Sequence, residues 1–453
     1  MRNTIIWHFE GPSQSQAICR LQENNIITVK AWIGLTDKCK YCTHDFRRFS
    51  EVKKPFMKIL GNGPEVHDKL QKFLGKFVET YARNFGYYNV AVEDYPYIFN
   101  MFISFFSEII ANNNIHLVIF DDVPHGGAAF VLYEVARSLG IRTLILSQAL
   151  FPNKFLYIEQ IKEYGNFPNM DTVFPNPWIT LPKQHEKNLC YMKEEPKQRL
   201  QSLRAFYNSI SNGGDLGALA KTISRNLPLE LLYKAALLYD KYYRQKIYLR
   251  NLKKNFNDPP NFQSRYVYFA LHLQPEMTTS MLGDLYEDQA IAIERLARFV
   301  GPDCNIYVKE NPKQDFHMRS QWFIDRLRQI SNVKLISPQI DTYALTKHSL
   351  FVATITGTVG WEAITGGKNA LIFGRAWYKN LPGVFYWEDG ASFNDINAYR
   401  IAHKSLEKQF NDFLLKLPNG VIDPTRECIV EGFSAEANAE VLTESLKKII
   451  EQK

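Results

Sequence analysis

The sequence has no long apolar run, no second cysteine pair and no phosphate-loop glycine pattern, and each absence removes a class of protein. No uninterrupted apolar stretch in the 453 residues approaches the roughly 20 that a membrane-spanning helix needs. The richest one, "YIFNMFISFFSEII", ends too soon. "MRNTIIWHFEGPS" does not read as a signal peptide, because its apolar run is short and Glu10 interrupts it. The expected location is cytoplasmic, with room for a peripheral contact at the inner face of the cytoplasmic membrane. Of six cysteines only Cys39 and Cys42 lie close together, in "DKCKYC". A zinc site normally needs a second pair or histidines at set spacing. His44 is near but completes no set, so no metal is expected and the thiols read as reduced. Neither GxxxxGK[ST] nor GxGxxG occurs, which argues against kinases and dehydrogenases. There is no internal repeat and no low-complexity segment.

What is present is ordinary in bulk. Apolar residues make up 45% and charged residues 22%, as in globular proteins. The net charge of +7 fits an acidic ligand or an anionic membrane surface, and no nucleic-acid partner is expected. The aromatic share is 14%, with 24 Tyr and 31 Phe. Such rings suit sugars and interfaces, though core packing accounts for any single one.

Short β-rich runs alternate with helical ones, the pattern of open parallel sheets. "NTIIWHF", "QSQAICRLQEN" and "IITVKAWIG" read as strand, helix, strand. "IHLVIF", "AAFVLYEVARSLG" and "IRTLILS" repeat the unit, with Gly140 as a left-handed helix cap. Prolines then cluster in "FPNMDTVFPNPWITLPK", and a helical region follows over about 190–256. Its last part, 221–256, carries nine Lys/Arg against two acidic residues, interleaved with tyrosines. "NDPPNFQS" is a linker, after which the alternation restarts at "RYVYFALHL" and continues through "NALIFG". The expected fold class is α/β: a Rossmann-like domain at 1–256, a second at 265–433, and a C-terminal helix at 434–453.

Four constellations carry chemistry. "TITGTVGWEA" (354–363) opens a helix after a strand, where free N–H groups and the helix dipole make an anion site. Thr356 and Thr358 offer hydroxyls, and Gly357 and Gly360 allow close approach to the backbone. Glu362 lies one turn on, suited to a nucleotide ribose rather than a phosphate. "LHLQPEMTTSMLG" (271–283) sets His272, Gln274 and Glu276 past a strand end, where a carboxylate can act as base or nucleophile. "YVKENPK" (307–313) places Lys309 near a leaving phosphate. "DDVPHGG" (121–127) follows another strand. Asp121 and Asp122 resemble the metal pair of single-domain transferases, whereas His125 with Gly126 and Gly127 reads as an acceptor-side or anion-side loop. Each set also has a structural reading: caps, turns, solvated lysines and a satisfied core histidine.

Several of these segments occur together in one family. "LHLQPEMTTSMLGDLYEDQ", "YVKENPK", "VKLISP" and "TITGTVGWEAITGGKNALIFGRAWYKNLPGV" stand in the order and spacing of the bacterial capsule polysaccharide biosynthesis family. "DDVPHGGAAFVLYEVARSLGI" resembles its N-terminal half. The family includes transferases that use CMP-Kdo. The resemblance implies a GT-B-like fold, two Rossmann-like domains facing a cleft, with no metal and no cofactor. The donor would be a CMP-activated ulosonic acid such as Kdo, held by the C-terminal domain. Thr356 and Thr358 match the Ser/Thr motif for the donor phosphate. Lys309, Asn311 and Pro312 stand where the family has Lys, a variable residue, His and Pro, so Asn311 replaces a histidine. Met277, Thr278 and Thr279 stand where the Kdo transferases carry aspartates, one of them their nucleophile. Glu276 is the nearest substitute.

The expected protein is a nucleotide-sugar-dependent glycosyltransferase of surface polysaccharide synthesis. It would act on a glycan or lipid-linked acceptor. Amides of 356–358, the two threonine hydroxyls and Lys309 would stabilise the departing phosphate. Glu276 or His125, with Asp122 beside it, would serve catalysis. The basic helix would lie on anionic lipid. A non-catalytic polysaccharide-binding protein with a degraded site, a UDP-sugar-using GT-B enzyme and a sugar-nucleotide 2-epimerase are the alternatives.

Overall fold

Strands buried along their whole length, such as "LVIF" at 117–120 and "ALI" at 370–372, fix the architecture. The computed structural model describes residues 1–34, 41–42, 65–85, 91–151, 153–170, 172–182, 229–256, 259–311, 314 and 319–452. The calls on Cys39, Pro312 and 190–228 fall outside the described residues, as do the side chains of Cys42 and of 229–238.

The first sheet contains β1 (Arg2–Trp7), β2 (Ile27–Gly34), β3 (Tyr41–Cys42), β4 (Leu117–Phe120), β5 (Arg142–Gln148) and β6 (Phe155–Ile158). Its order is β3-β2-β1-β4-β5-β6. All pairs are parallel except β5 with β6. β4, "LVIF", is buried along its whole length, as expected where helices cover both faces of a parallel sheet. Those helices are α1 (Pro12–Glu23), α2 (Leu74–Phe85), α3 (Asp94–Asn112) and α4 (Gly127–Ser138). Pro12 sits at the start of α1, where its missing N–H costs nothing. The apolar run "YIFNMFISFFSEII" lies within α3, with Phe99, Phe102 and Phe106 buried in the core. Gly140 follows α4 at φ +71°.

Helix α5 (Leu229–Lys254) leads to the second sheet, which contains β7 (Tyr266–Ala270), β8 (Asn305–Lys309), β9 (Val333–Ile336), β10 (Val352–Thr354), β11 (Ala370–Ile372) and β12 (Val384–Tyr386). The order is β12-β11-β10-β7-β8-β9, all parallel. Counted from its own first strand, this is the order of the first sheet again. The crossovers are α6 (Gln289–Val300), α7 (Gln321–Arg328), α8 (Thr342–His348) and α9 (Thr358–Thr365). In each sheet the strand order reverses beside the first strand: between β1 and β4, and between β7 and β10. In open α/β sheets ligands bind at that point, outside the carboxyl ends of the strands.

The chain then returns to the first unit. After α10 (Phe393–Ala398), helices α11 (His403–Leu414) and α12 (Ala435–Glu451) bury Leu406, Phe410, Leu442, Leu446 and Ile449 in the first core. Arg142 of β5 donates to the carbonyls of Ile449 (3.2 Å) and Ile450 (2.9 Å), which satisfies acceptors at the end of α12. Residues of 403–433, placed by sequence order in the second domain, thus pack against the first unit, while Phe410 also meets Trp361 of α9.

Candidate functional site

Both reversal points open into clefts. The larger, about 570 Å³, lies between the carboxyl ends of the second sheet and the segment after β5. Its polar wall carries His272, Lys309, Asn311, Thr356, Gly357, Thr358 and Glu362. Its apolar wall carries Phe151, Leu156, Trp377, Phe413 and Leu417. The smaller cleft, about 440 Å³, lies at the β1/β4 reversal and is lined by His8, Asp121, Asp122, His125 and Asp423. Gln148, the last residue of β5, lines both.

His272 follows β7 and is pinned from several sides. Its Nε2 accepts the Thr356 N–H (3.2 Å) and faces the Thr354 hydroxyl (2.9 Å). Its carbonyl accepts from Arg319 (2.7 Å). A ring nitrogen that accepts an amide hydrogen carries no proton, so Nδ1 carries it. Burial, with Arg319 adding, pushes the His272 pKa down to about 4. The cleft therefore meets a neutral imidazole.

This arrangement changes the expected anion site. The Thr356 N–H is taken by His272, and the Gly357 N–H points to Thr354 Oγ1 (3.3 Å). The Thr356 hydroxyl donates to the Thr278 carbonyl (2.8 Å). Two of the three amides assigned to phosphate are thus spent holding the loop. Thr358 and Val359 remain at the first turn of α9 and line the cleft, and their N–H groups have no acceptor within the helix. The glycines also serve packing. A Cβ on Gly360 would stand 2.2 Å from the Tyr378 hydroxyl, which itself donates to the Gly357 carbonyl (2.5 Å).

Lys309, at the end of β8, donates to the Ile340 carbonyl (2.6 Å) and the Thr342 hydroxyl (2.7 Å). Burial lowers its pKa. An ammonium has three donors, so one is left for a ligand. Glu362 receives the Thr358 hydroxyl, and burial outweighs that bond and raises its pKa. Glu310 lies beneath the loop beside Arg319 (2.9 Å), the pair 5% and 2% exposed. The contact is a charge approach without hydrogen-bond alignment at Nε, and burial still raises the Glu310 pKa.

Two expected residues lie outside both clefts. β7 ends at Ala270, so residues 271–276 turn away from the strand direction. Gln274 is engaged with Gln289 (3.0 Å) and Gln314 (3.0 Å). Glu276 stands at the head of the turn Met277–Met281, its carbonyl accepting from Thr279 (3.0 Å) and Ser280 (2.8 Å). Its neighbours Met277 and Thr278 line the cleft in its place.

Arg375 is the residue that sequence reasoning missed. It lines the larger cleft three residues past β11 and pairs with Asp284. "IFGRAW" carries the signal: a cation just past a parallel strand.

In the smaller cleft, His125 Nδ1 donates to the Val123 carbonyl (2.7 Å). That bond leaves Nε2 as the basic nitrogen of the neutral ring. Asp122 accepts from the Val123 N–H (2.8 Å). Burial raises its pKa, against the opposing charge of His125. Asp121 is raised well above the usual range, by burial first and then by Asp122. Among the described residues no three His, Cys, Asp or Glu are grouped as a metal site.

Known proteins add the following. Residues 223–412 match the family described as capsule polysaccharide biosynthesis protein. No curated protein sequence matches the chain. The β-Kdo 2,7-transferase of Thermosulfurimonas dismutans KpsC is similar at 9% identity, over 79% of this chain and 90% of its own, with a TM-score of 0.34. The UDP-GlcNAc 2-epimerase of Methanocaldococcus jannaschii is 14% identical over 98% and 100% of the two chains, with a TM-score of 0.24. A glycosyltransferase of Rickettsia africae is 10% identical over 99% and 98%, with a TM-score of 0.23. The fold is α/β, two doubly wound sheets with the larger cleft between them. Residues 223–412, which match the capsule polysaccharide biosynthesis family, include the polar wall of the larger cleft.

Proposed function

We propose that the protein is a glycosyltransferase of capsule polysaccharide synthesis that takes its donor in the larger cleft and its acceptor in the smaller one. The observation that carries this reading is the pair of clefts at the two sheet reversals, joined at Gln148. The larger cleft falls in the size range of small-molecule sites, roughly 300–1,000 Å³. Thr358, Lys309 and Arg375 would hold the anionic part of a nucleotide donor. Their charge would stabilise the departing phosphate as the glycosidic bond breaks. Glu362 would accept from hydroxyls of the nucleotide sugar. Across the junction, Nε2 of His125 would take the proton of the acceptor hydroxyl, and Asp122 would stabilise the imidazolium that results. A CMP-activated ulosonic acid such as Kdo is the donor class that the family favours. A lipid-linked acceptor would be met by peripheral contact with a membrane.

Calorimetric titration with CMP and with UDP, followed by donor turnover, tests the reading. CMP should bind and the donor should turn over. His125→Ala should keep nucleotide affinity while transfer falls by about 10²–10⁴. Nucleotide binding with no turnover of any donor would instead make the chain a binding protein, the outcome that Asn311 in place of histidine favours.

A further inference from the structure

Helix α5 has two unlike sides. At 100° per residue, Tyr239, Tyr243, Ile247, Arg250 and Lys254 fall within an arc of about 80°. Tyr239 and Tyr243 are 63% and 56% exposed, and Arg250 and Lys254 are exposed beside them. Tyr248 and Leu252 lie on the opposite side, buried in the second core. Tyr248 donates there to Glu310 (3.3 Å). Among the described side chains of 239–254 the exposed cations are Arg244, Lys246, Arg250, Lys253 and Lys254, against one acid, Asp240, which pairs with Arg244 (3.0 Å).

Helix α7 packs against α5. Its Trp322 is 84% exposed, the most exposed tryptophan among the described residues. Arg319, just ahead of α7, belongs to the same buried pair that Tyr248 touches. Both helices are thus anchored to one point beneath the donor loop, and both turn aromatic rings outward. Tyrosine and tryptophan beside lysine and arginine are the side chains suited to a lipid–water interface, where rings sit at the headgroups and cations meet anionic lipid.

We propose that the outer face of α5 with Trp322 of α7 is a docking surface for an anionic lipid bilayer. The charge balance argues for lipid over a second copy of the chain, because two such faces would bring like charges together. No helix among the described residues is long and apolar enough to cross a membrane, so docking would be interfacial. The proposal rests on the transferase reading only for its purpose, which is to bring the cleft to a lipid-linked acceptor.

The test is flotation of the full chain with vesicles of phosphatidylcholine alone and of phosphatidylcholine mixed with phosphatidylglycerol. Binding should require the anionic lipid and weaken with salt. Arg250→Gln with Lys254→Gln should lower partitioning by about fivefold per charge, about 25-fold together. Tyr243→Ser with Trp322→Ser should remove the salt-resistant part. Equal binding to neutral vesicles, or binding unchanged by both double variants, would overturn the proposal. So would wild-type self-association that the variants abolish, since it would assign the face to a second copy. CMP titration of the same samples separates the two readings. Docking without nucleotide binding counts against the transferase alone, and nucleotide binding without docking counts against the surface alone.

Discussion

At the scale of single residues, His272 does most to shape the polar wall of the larger cleft. Its folded pKa of about 4 lies below the ordinary 6.5. Between those values the unfolded chain binds a proton that the folded chain refuses. Stability should therefore fall as pH drops through 6.5 and level off below about 4. The loss attributable to this ring is about 2 kcal/mol by about pH 5. Urea melts at about pH 7 and about pH 5 read it directly. His272→Gln should flatten that part of the profile. An equal slope in wild type and variant would show that the ring is not buried neutral.

At the scale of elements, the carboxyl ends of β8 and β11 each send one cation to the larger cleft, and the two are tied differently. Lys309 fastens β8 to the start of α8 through Ile340 and Thr342. Arg375 sits on a strand-end turn and is paired mainly with exposed Asp284. Lys309→Met should lower both melting temperature and nucleotide affinity. Arg375→Gln should lower affinity by about tenfold, roughly one charge-assisted hydrogen bond, with the melting temperature unchanged. Differential scanning fluorimetry beside CMP titration separates the two effects. Equal losses of stability would make Arg375 a structural residue.

The same elements show what was legible in the sequence. β4 and β7 were readable because an unbroken apolar run has few other places to go in a parallel sheet. β12 is only half-buried along its length, and β6 is hidden beside the proline cluster. In the site, residues just past strand ends were readable as a class: His272, Lys309, Asn311 and the 356–358 loop all reach the cleft. Glu276 lies outside both clefts because the chain turns after Ala270, and nothing in "LHLQPE" announces that turn's direction. The fate of the Thr356 and Gly357 amides was not readable, since their acceptors lie 84 residues upstream in His272 and three upstream in Thr354.

For the whole molecule, the governing fact is that α11 and α12 pack back onto the first unit. Leu446 and Ile449 of α12 are buried against α1 and the first sheet. Leu446→Ala or Ile449→Ala should each cost about 2–5 kcal/mol, as for other core aliphatic truncations. Chemical denaturation should show the loss in the first unit, with His125 of the smaller cleft disturbed before His272 of the larger one. A variant that melts like wild type would mean that α12 is dispensable to that core.

The return of α11 and α12 also sets an order of assembly during synthesis. The first sheet emerges from the ribosome early, yet the side chains that close its core are made only after the entire second sheet. Until then α1 presents to solvent the apolar stripe of Ala17, Ile18 and Leu21. The N-terminal unit must wait for the other to be made, and a nascent chain halted near residue 400 would hold a finished second sheet beside a first core that is still open.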